Sequence, residues 1–370
     1  MKIGLNASCF NERPSGAKQR FVGLYSEVIN KAPQFHFVIF NPSDYRLNHL
    51  FPFKNVSFID SPIPSQGRLK KFIKSFGYWK KTLIEQDFDI FENFNLPIVS
   101  HRTGKTFQTI HDVRYLTQDF NYLSKWISWI FHYFAIKQAN QILTVSETMK
   151  EEILELFPSA NVSAIYNGVS LPLNTKIDSK FCESVLEKYK LPTNFLLAVG
   201  HLEERKNYRR LVSAINKIYL RGKKDIFLLI IGKNNGSLKS IKQSIANCGL
   251  EKNIRILSDL SDEELKAIYS LSKFFIFSSL YEGFGIPILE AMLYEKPMAL
   301  SNIPVFREIT QNKYLYFNPY SSKSIADSIE QLIKIENYDE MISYGNNRLI
   351  DFDYTNLAES ILNLYNTNKR

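Results

Sequence analysis

At 370 residues the chain is too long for one ordinary hydrophobic core, and at 45% hydrophobic and 14% aromatic it is too apolar for disorder, so two folded domains are expected. The net charge of +9 favours anionic partners, whether phosphates, nucleic acid or a lipid surface, without choosing among them. Three scattered cysteines, Cys9, Cys182 and Cys248, with no C-x-x-C spacing and no neighbouring His cluster, argue against a disulfide framework and against a zinc site. The opening run MKIGLNASCF lacks the apolar stretch of a signal peptide, and no segment reaches the roughly 20 apolar residues that span a bilayer, so a cytoplasmic chain is expected.

In chain order, the first half predicts strands at 2–6, 35–40, 56–59, 106–110, 141–145 and 163–167. Helices fit at about 17–31, 68–86, 122–140 and 146–157, the last capped by Ser146. Residues 68–84 carry Arg68, Lys70, Lys71, Lys74, Lys80 and Lys81 and no acid, with Leu69, Phe72, Ile73, Phe76 and Trp79 on one helical face. That pattern suits a basic amphipathic helix on an anionic membrane and equally a domain helix with its lysines in water. The aromatic segment 122–134, YLSKWISWIFHYF, is expected to pack in the core. A linker is expected in 170–180, which has two prolines and little periodicity.

In the second half, short apolar runs at 195–200, 226–232, 254–260, 273–279, 297–300 and 314–317 alternate with segments of helical period. Ser261 and Glu264 form a predicted capping box. Buried parallel strands alternating with helices imply doubly wound α/β domains. The expected division is 1–175, 176–350, and a C-terminal amphipathic helix within 351–370 that packs back on the first domain.

The segment 274–293, FFIFSSLYEGFGIPILEAML, carries the most chemistry: an apolar strand, a glycine-bearing turn, and a helix opened by Pro287. Gly283 and Gly285 permit positive φ or close approach of a ligand, and the free N–H groups of the helix start favour an anion. Glu282 precedes the turn and Glu290 lies one turn into the helix, so both carboxylates are placed to border one pocket. A plain strand–helix corner with two exposed acids is the competing reading.

This segment resembles the E-x7-E motif of glycosyltransferase family 4, and the likeness continues in order through most of the chain. It includes His111–Asp112, LTVSETM at 143–149, YNGV at 166–169, GHLEERKN at 200–207 and NIPVFREI at 302–309. The resemblance implies the GT-B architecture, two Rossmann-like doubly wound domains facing each other across a cleft, and transfer of sugar from a nucleotide diphosphate donor with retention of configuration. By the same resemblance Glu290 would hold the donor ribose. Glu282, with the backbone N–H groups of Gly283, Phe284 and Gly285 and the adjoining Ile286, would hold the sugar. Arg205 and Lys206 match the pair that neutralises the diphosphate, where preorganised cations stabilise the charge growing on the leaving group. His111 would hydrogen-bond the donor sugar.

The sequence departs from the family pattern in three places. The loop PSGAKQRF at 14–21 stands where the family carries a glycine-rich loop that touches the donor phosphates; it keeps Gly16 but lacks the usual second glycine, and carries Lys18 and Arg20 instead, whose charge suits a diphosphate. His201 stands where Arg is common, and Ser278 where Pro is common. The expected partners are a nucleotide-sugar donor, a glycan or lipid-linked acceptor, and an anionic membrane surface at 68–84. No cofactor or metal is expected. The basic residues fall on no nucleic-acid module, so nucleic acid is not an expected partner. A GDP-mannose donor is preferred, with a UDP-sugar donor, or a non-catalytic nucleotide-sugar-binding protein of the same fold, as the alternatives.

Overall fold

A computed structural model describes residues 1–12, 15–75, 77–94, 104–118, 122–171 and 177–369. The chain forms two compact units, one of Met1–Leu171 with Asp351–Arg370 and one of Pro172–Ile350.

Unit 1 runs β1 (Lys2–Asn6), α1 (Gly16–Lys31), β2 (His36–Asn41), β3 (Val56–Asp60), α2 (Arg68–Ser75), α3 (Tyr78–Gln86) and β4 (Ile90–Asn93). It continues with β5 (Lys105–Ile110), α4 (Arg114–Thr117), α5 (Tyr122–Gln138), β6 (Gln141–Thr144), α6 (Glu147–Leu156) and β7 (Val162–Ala164). Its seven strands pair in parallel in the order β3-β2-β1-β4-β5-β6-β7, so the winding reverses between β1 and β4. Alternate residues face opposite sides. On one face Ile3, Leu5, Phe37, Ile39, Ile90, Phe107 and Leu143 meet Phe21, Leu24, Tyr25 and Val28 of α1. On the other, Val38, Phe40 and Phe91 receive Trp79 and Leu83 of α3, and Ile110 and Ile142 receive Ile136 of α5.

Unit 2 runs α7 (Ser179–Tyr189), β8 (Leu196–Val199), α8 (Tyr208–Leu220), β9 (Leu228–Ile231), α9 (Leu238–Asn247), β10 (Ile254–Leu257) and α10 (Asp262–Leu271). Then follow β11 (Phe274–Phe277), α11 (Ile286–Leu293), β12 (Met298–Ser301), α12 (Pro304–Thr310), β13 (Leu315–Phe317), α13 (Ser322–Lys334) and α14 (Asp339–Leu349). Its sheet is parallel, in the order β10-β9-β8-β11-β12-β13, and reverses between β8 and β11. Gly200 takes φ 150, and a Cβ on Gly232 would lie 1.9 Å from the Gly200 carbonyl oxygen, so the ends of β8 and β9 approach as only glycines allow.

The last helix, α15 (Tyr354–Thr367), belongs to unit 1. It lies against α1, where a Cβ on Gly23 would collide with the ring of Tyr354 at 2.1 Å. The Val169 and Tyr354 amides anchor the return of the chain, donating to the carbonyls of Phe352 and Val169 at 2.9 Å each. Beneath it sits a carboxylate with no counterpart in the expected strands: Glu92 of β4, fully buried, accepts from the hydroxyls of Tyr25 and Tyr365, the latter at 2.7 Å. Burial raises its pKa, and the tyrosines and Arg20 oppose that rise.

Several expectations are corrected here. The strand β4 is an addition, its apolar run being cut short by Glu92 and Asn93. The predicted helix 68–86 is two helices, broken at Gly77, which takes φ 80. Its apolar residues do not share one face: Trp79 is buried and Ile73 is 62% exposed, while Phe76 and the side chains of Leu69 and Phe72 lie outside the described residues. The segment 122–134 is not core. Tyr122, Leu123, Trp126, Ile127, Trp129 and Phe134 of α5 all face solvent. The linker expected at 170–180 lies partly outside the described residues, at 172–176.

Candidate active site

In an open α/β sheet, ligands bind beyond the carboxyl ends of the strands where the winding reverses. In unit 2 that point is flanked by the segment after β8, which carries Gly200, Arg205 and Lys206, and the segment after β11, which carries Glu282 to Gly285. Residues 204–206 form one 3-10 turn and Asn207, at φ 61, opens α8. The two segments are laced together by backbone: the Leu280 amide donates to the Arg205 carbonyl at 2.7 Å, and the Ser278 hydroxyl donates to the Lys206 carbonyl at 2.8 Å. Ser278 thus fastens the turn in a way the proline common there could not.

The side chains complete the junction. Lys206 Nζ donates to Glu282 Oε1 at 2.5 Å, and Ser279 donates to the same oxygen at 2.7 Å. Arg205 Nη1 pairs with Glu282 Oε2, and its Nε lies 2.8 Å from Glu203 Oε1. Glu282 and Lys206 are buried, whereas the Arg205 side chain is 27% exposed. Burial by itself would raise the Glu282 pKa; Lys206 and then Arg205 outweigh it and bring the carboxyl down to about 2. Burial also draws the Lys206 ammonium below its ordinary value, with Glu282 working against it. Gly200 makes room for this lysine, because a Cβ there would sit 2.8 Å from Lys206 Cε.

Gly285 takes φ 137 and caps α11, so that Ile286 is the first helical residue and Pro287 the second, one position later than expected. Glu290, one turn on, accepts from the Tyr269 hydroxyl of α10 at 2.6 Å. Burial raises its pKa, and the Tyr269 hydrogen bond and then the Lys206 ammonium oppose that rise. The structure therefore brings Arg205, Lys206, Glu282 and Glu290 to one locus beside the start of α11, with Gly283 and Phe284 in the intervening turn. Glu203, Ser279, Tyr269 and Gly200 belong to the same locus and were missed. Glu203 and Gly200 stood inside GHLEERKN, but nothing in the spacing of Ser279 or Tyr269 distinguishes them from strand-end and helix-core residues.

His111 and Gly16 belong to unit 1. His111 follows β5, and its Nε2 is buried without a hydrogen-bond partner. Burial, and then the charge of Arg20, pull its pKa down to about 4, so the imidazole is neutral at pH 7. Asp112 turns instead to Arg114, whose Nε lies 3.9 Å away. Gly16 is the first residue of α1, capped by Ser15, rather than part of an open loop. The helical turn sends Arg20 inward, where its Nη2 donates to the Ile165 carbonyl at 2.9 Å, and Lys18 Nζ donates to the Asn11 carbonyl at 2.7 Å. The charge expected on a phosphate loop is therefore folded into the unit's own structure. Pro14 of that loop lies outside the described residues.

The model for group 1 glycosyl transferases matches residues 186–348 and that for glycosyltransferase family 4 matches residues 28–172. The chain is also 30% identical over 305 residues to the O-antigen chain mannosyltransferase RfbU of Salmonella typhimurium, covering 78% of this chain and 77% of that one. This chain is a family 4 glycosyltransferase. The glycosyltransferase is 28% identical over 284 residues to O-antigen chain mannosyltransferase B of Escherichia coli, covering 74% of this chain and 72% of that one. Its fold is GT-B, two Rossmann-like doubly wound domains. It superimposes on the crystal structure of a glycosyltransferase from Rickettsia africae with a TM-score of 0.74 at 19% identity, over 98% of this chain and 97% of the other. Among the described residues no helix of this glycosyltransferase is long and apolar enough to cross a membrane.

Proposed function

We propose that this glycosyltransferase moves mannose from GDP-mannose, with retention of configuration and without a metal, onto a glycan or lipid-linked acceptor of a surface polysaccharide. It works at the inner face of the cytoplasmic membrane, with the basic segment 68–84 against anionic lipid. The observation that carries the reading is the convergence of Lys206 and Arg205 on Glu282 beside the start of α11. As the bond from the sugar C1 to the diphosphate breaks, negative charge grows on the leaving oxygen. Two cations already fixed by Glu282 and Glu203, with Ser279 holding the Glu282 carboxylate, meet that charge without reorganising. They supply there the positive charge that a divalent ion supplies in other transferases. On this reading Glu290, which accepts from the Tyr269 hydroxyl, takes the ribose hydroxyls of the donor.

The mannose preference rests on the names of the two curated relatives above, both mannosyltransferases. Exposed Lys70, Lys74, Lys80 and Lys81 support the membrane reading. The test is a panel of nucleotide sugars scored by protection against thermal unfolding and then by turnover in EDTA. GDP-mannose should protect most and be consumed at an undiminished rate with the α-anomer retained. Preferential protection and turnover with a UDP-sugar would replace the donor assignment. Binding of every donor without turnover would favour a non-catalytic protein.

A further inference from the structure

Surface helices of globular proteins ordinarily turn their apolar stripe inward. In α5 much of the apolar surface points outward instead. Its inward residues include His132, Ala135 and Ile136, whereas Tyr122 is 84% exposed, Leu123 64%, Trp126 53% and Trp129 45%. With 3.6 residues per turn, positions 122, 126, 129 and 133 form one stripe and 123, 127, 130 and 134 the next, so the aromatic and aliphatic side chains make a continuous strip rather than scattered exposures. Within it, the Trp129 and Tyr133 rings stack at 5.0 Å between centroids.

From this strip we infer that α5 lies in the interfacial layer of an anionic bilayer, with Trp126 and Trp129 at the depth of the headgroup–acyl boundary. The inference deepens the membrane reading proposed above and rests on it. Three features select lipid as the occupant. First, residues 122–138 contain Lys125 and Lys137 and no Asp or Glu, and tryptophan and tyrosine are the side chains that settle at a lipid–water boundary.

Second, α5 shares a sheet face with α3, which carries Lys80 and Lys81. Val38, which packs under α3, is registered through Gly4 to Phe91, and Phe91 to Thr106 of β5. Two residues on is Gln108, registered to Ile142 under α5. Cross-strand partners point to one side, so both helices cover the same face of unit 1. Lysine charge and aromatic surface are presented together. Third, a second copy of the chain seated symmetrically on this helix would oppose lysines to lysines with no acid of the helix to relieve them.

The test exploits the tryptophan inventory. The chain has three tryptophans, of which Trp79 is buried in unit 1 and the other two are on this strip. The full chain is titrated with phosphatidylglycerol–phosphatidylethanolamine vesicles whose acyl chains are brominated. The expected result is quenching of tryptophan emission that disappears in a Trp126→Phe, Trp129→Phe variant, although that variant still sediments with the vesicles.

A Leu123→Ser, Trp126→Ser, Ile127→Ser variant should partition about 100-fold more weakly, since each removes apolar area worth roughly a factor of five or more. Its unfolding temperature should match that of the unaltered chain, because these side chains contact solvent. Vesicle binding without quenching, or equal binding by the serine variant, would overturn the placement of α5 while leaving segment 68–84 as the contact. A doubled mass in sedimentation that the serine variant loses would assign the strip to self-association and overturn the lipid assignment. Turnover with a water-soluble acceptor should survive in the serine variant, so a failure of the catalytic reading appears separately, in the unaltered chain.

Discussion

Replacing Lys206 by Met deletes one cation of a buried pair and leaves Glu282 with Arg205 and Ser279. Breaking such a pair costs about 3–5 kcal/mol of stability, and losing one preorganised donor costs about 10²–10³ in rate. Adding Glu282→Gln should return most of the stability and none of the transfer, which denaturant titration and initial rates on the same preparations will show. At Gly200, substitution by Ala forces the Lys206 side chain aside and strains a backbone at φ 150; transfer should fall with donor affinity, measured as kcat and KM for the donor. His111 carries its own signature. Its pKa is lowered to about 4 from an ordinary 6.5, so the unfolded chain binds the proton more readily than the folded one across that window. Stability should therefore decline as pH falls from 6.5 to 4, and His111→Gln should flatten that part of the profile, followed by denaturant unfolding at stepped pH.

At the scale of elements, the turn into α11 depends on Gly285, where an L side chain would sit at φ 137 and press on Phe306 at 3.1 Å. Gly285→Ala should cost about 1–3 kcal/mol, seen as a lower midpoint in denaturant. Such a position is legible in the sequence because glycine, proline and two acids fall together on a strand–helix corner. The central strands of unit 2, β8, β9 and β11, were legible for a related reason: they are buried on both faces and read as unbroken apolar runs. The strand β4 was not, since Glu92 and Asn93 interrupt it and their partners, Tyr25, Tyr365 and Asn6, lie far off in sequence. Periodicity also places residues on one side of a helix without saying which side meets water, and for that reason α5 read as core. The glycine that divides α2 from α3 was visible, but its φ of 80 was not, because glycine tolerates a helix interior as well as a break.

For the whole molecule, the return of residues 351–370 to unit 1 has a measurable consequence. Tyr354, Leu357, Ala358, Ile361 and Tyr365 are buried in the same core as α1 and β1. Ending the chain at Ile350 would uncover that core and strip Glu92 of one of its two tyrosine donors. Limited proteolysis of the shortened chain should cut preferentially within 1–171 and leave 177–350 protected. The order in which a ribosome delivers the polypeptide adds a constraint. The half that emerges first lacks a wall until translation has passed Thr367, whereas the half that emerges second has all of its strands by Phe317. The nascent glycosyltransferase thus carries its earlier-made lobe unfinished while all of unit 2 is being synthesised, exposed to chaperones and proteases, and a stall between Pro172 and Tyr354 leaves the part already made without that wall.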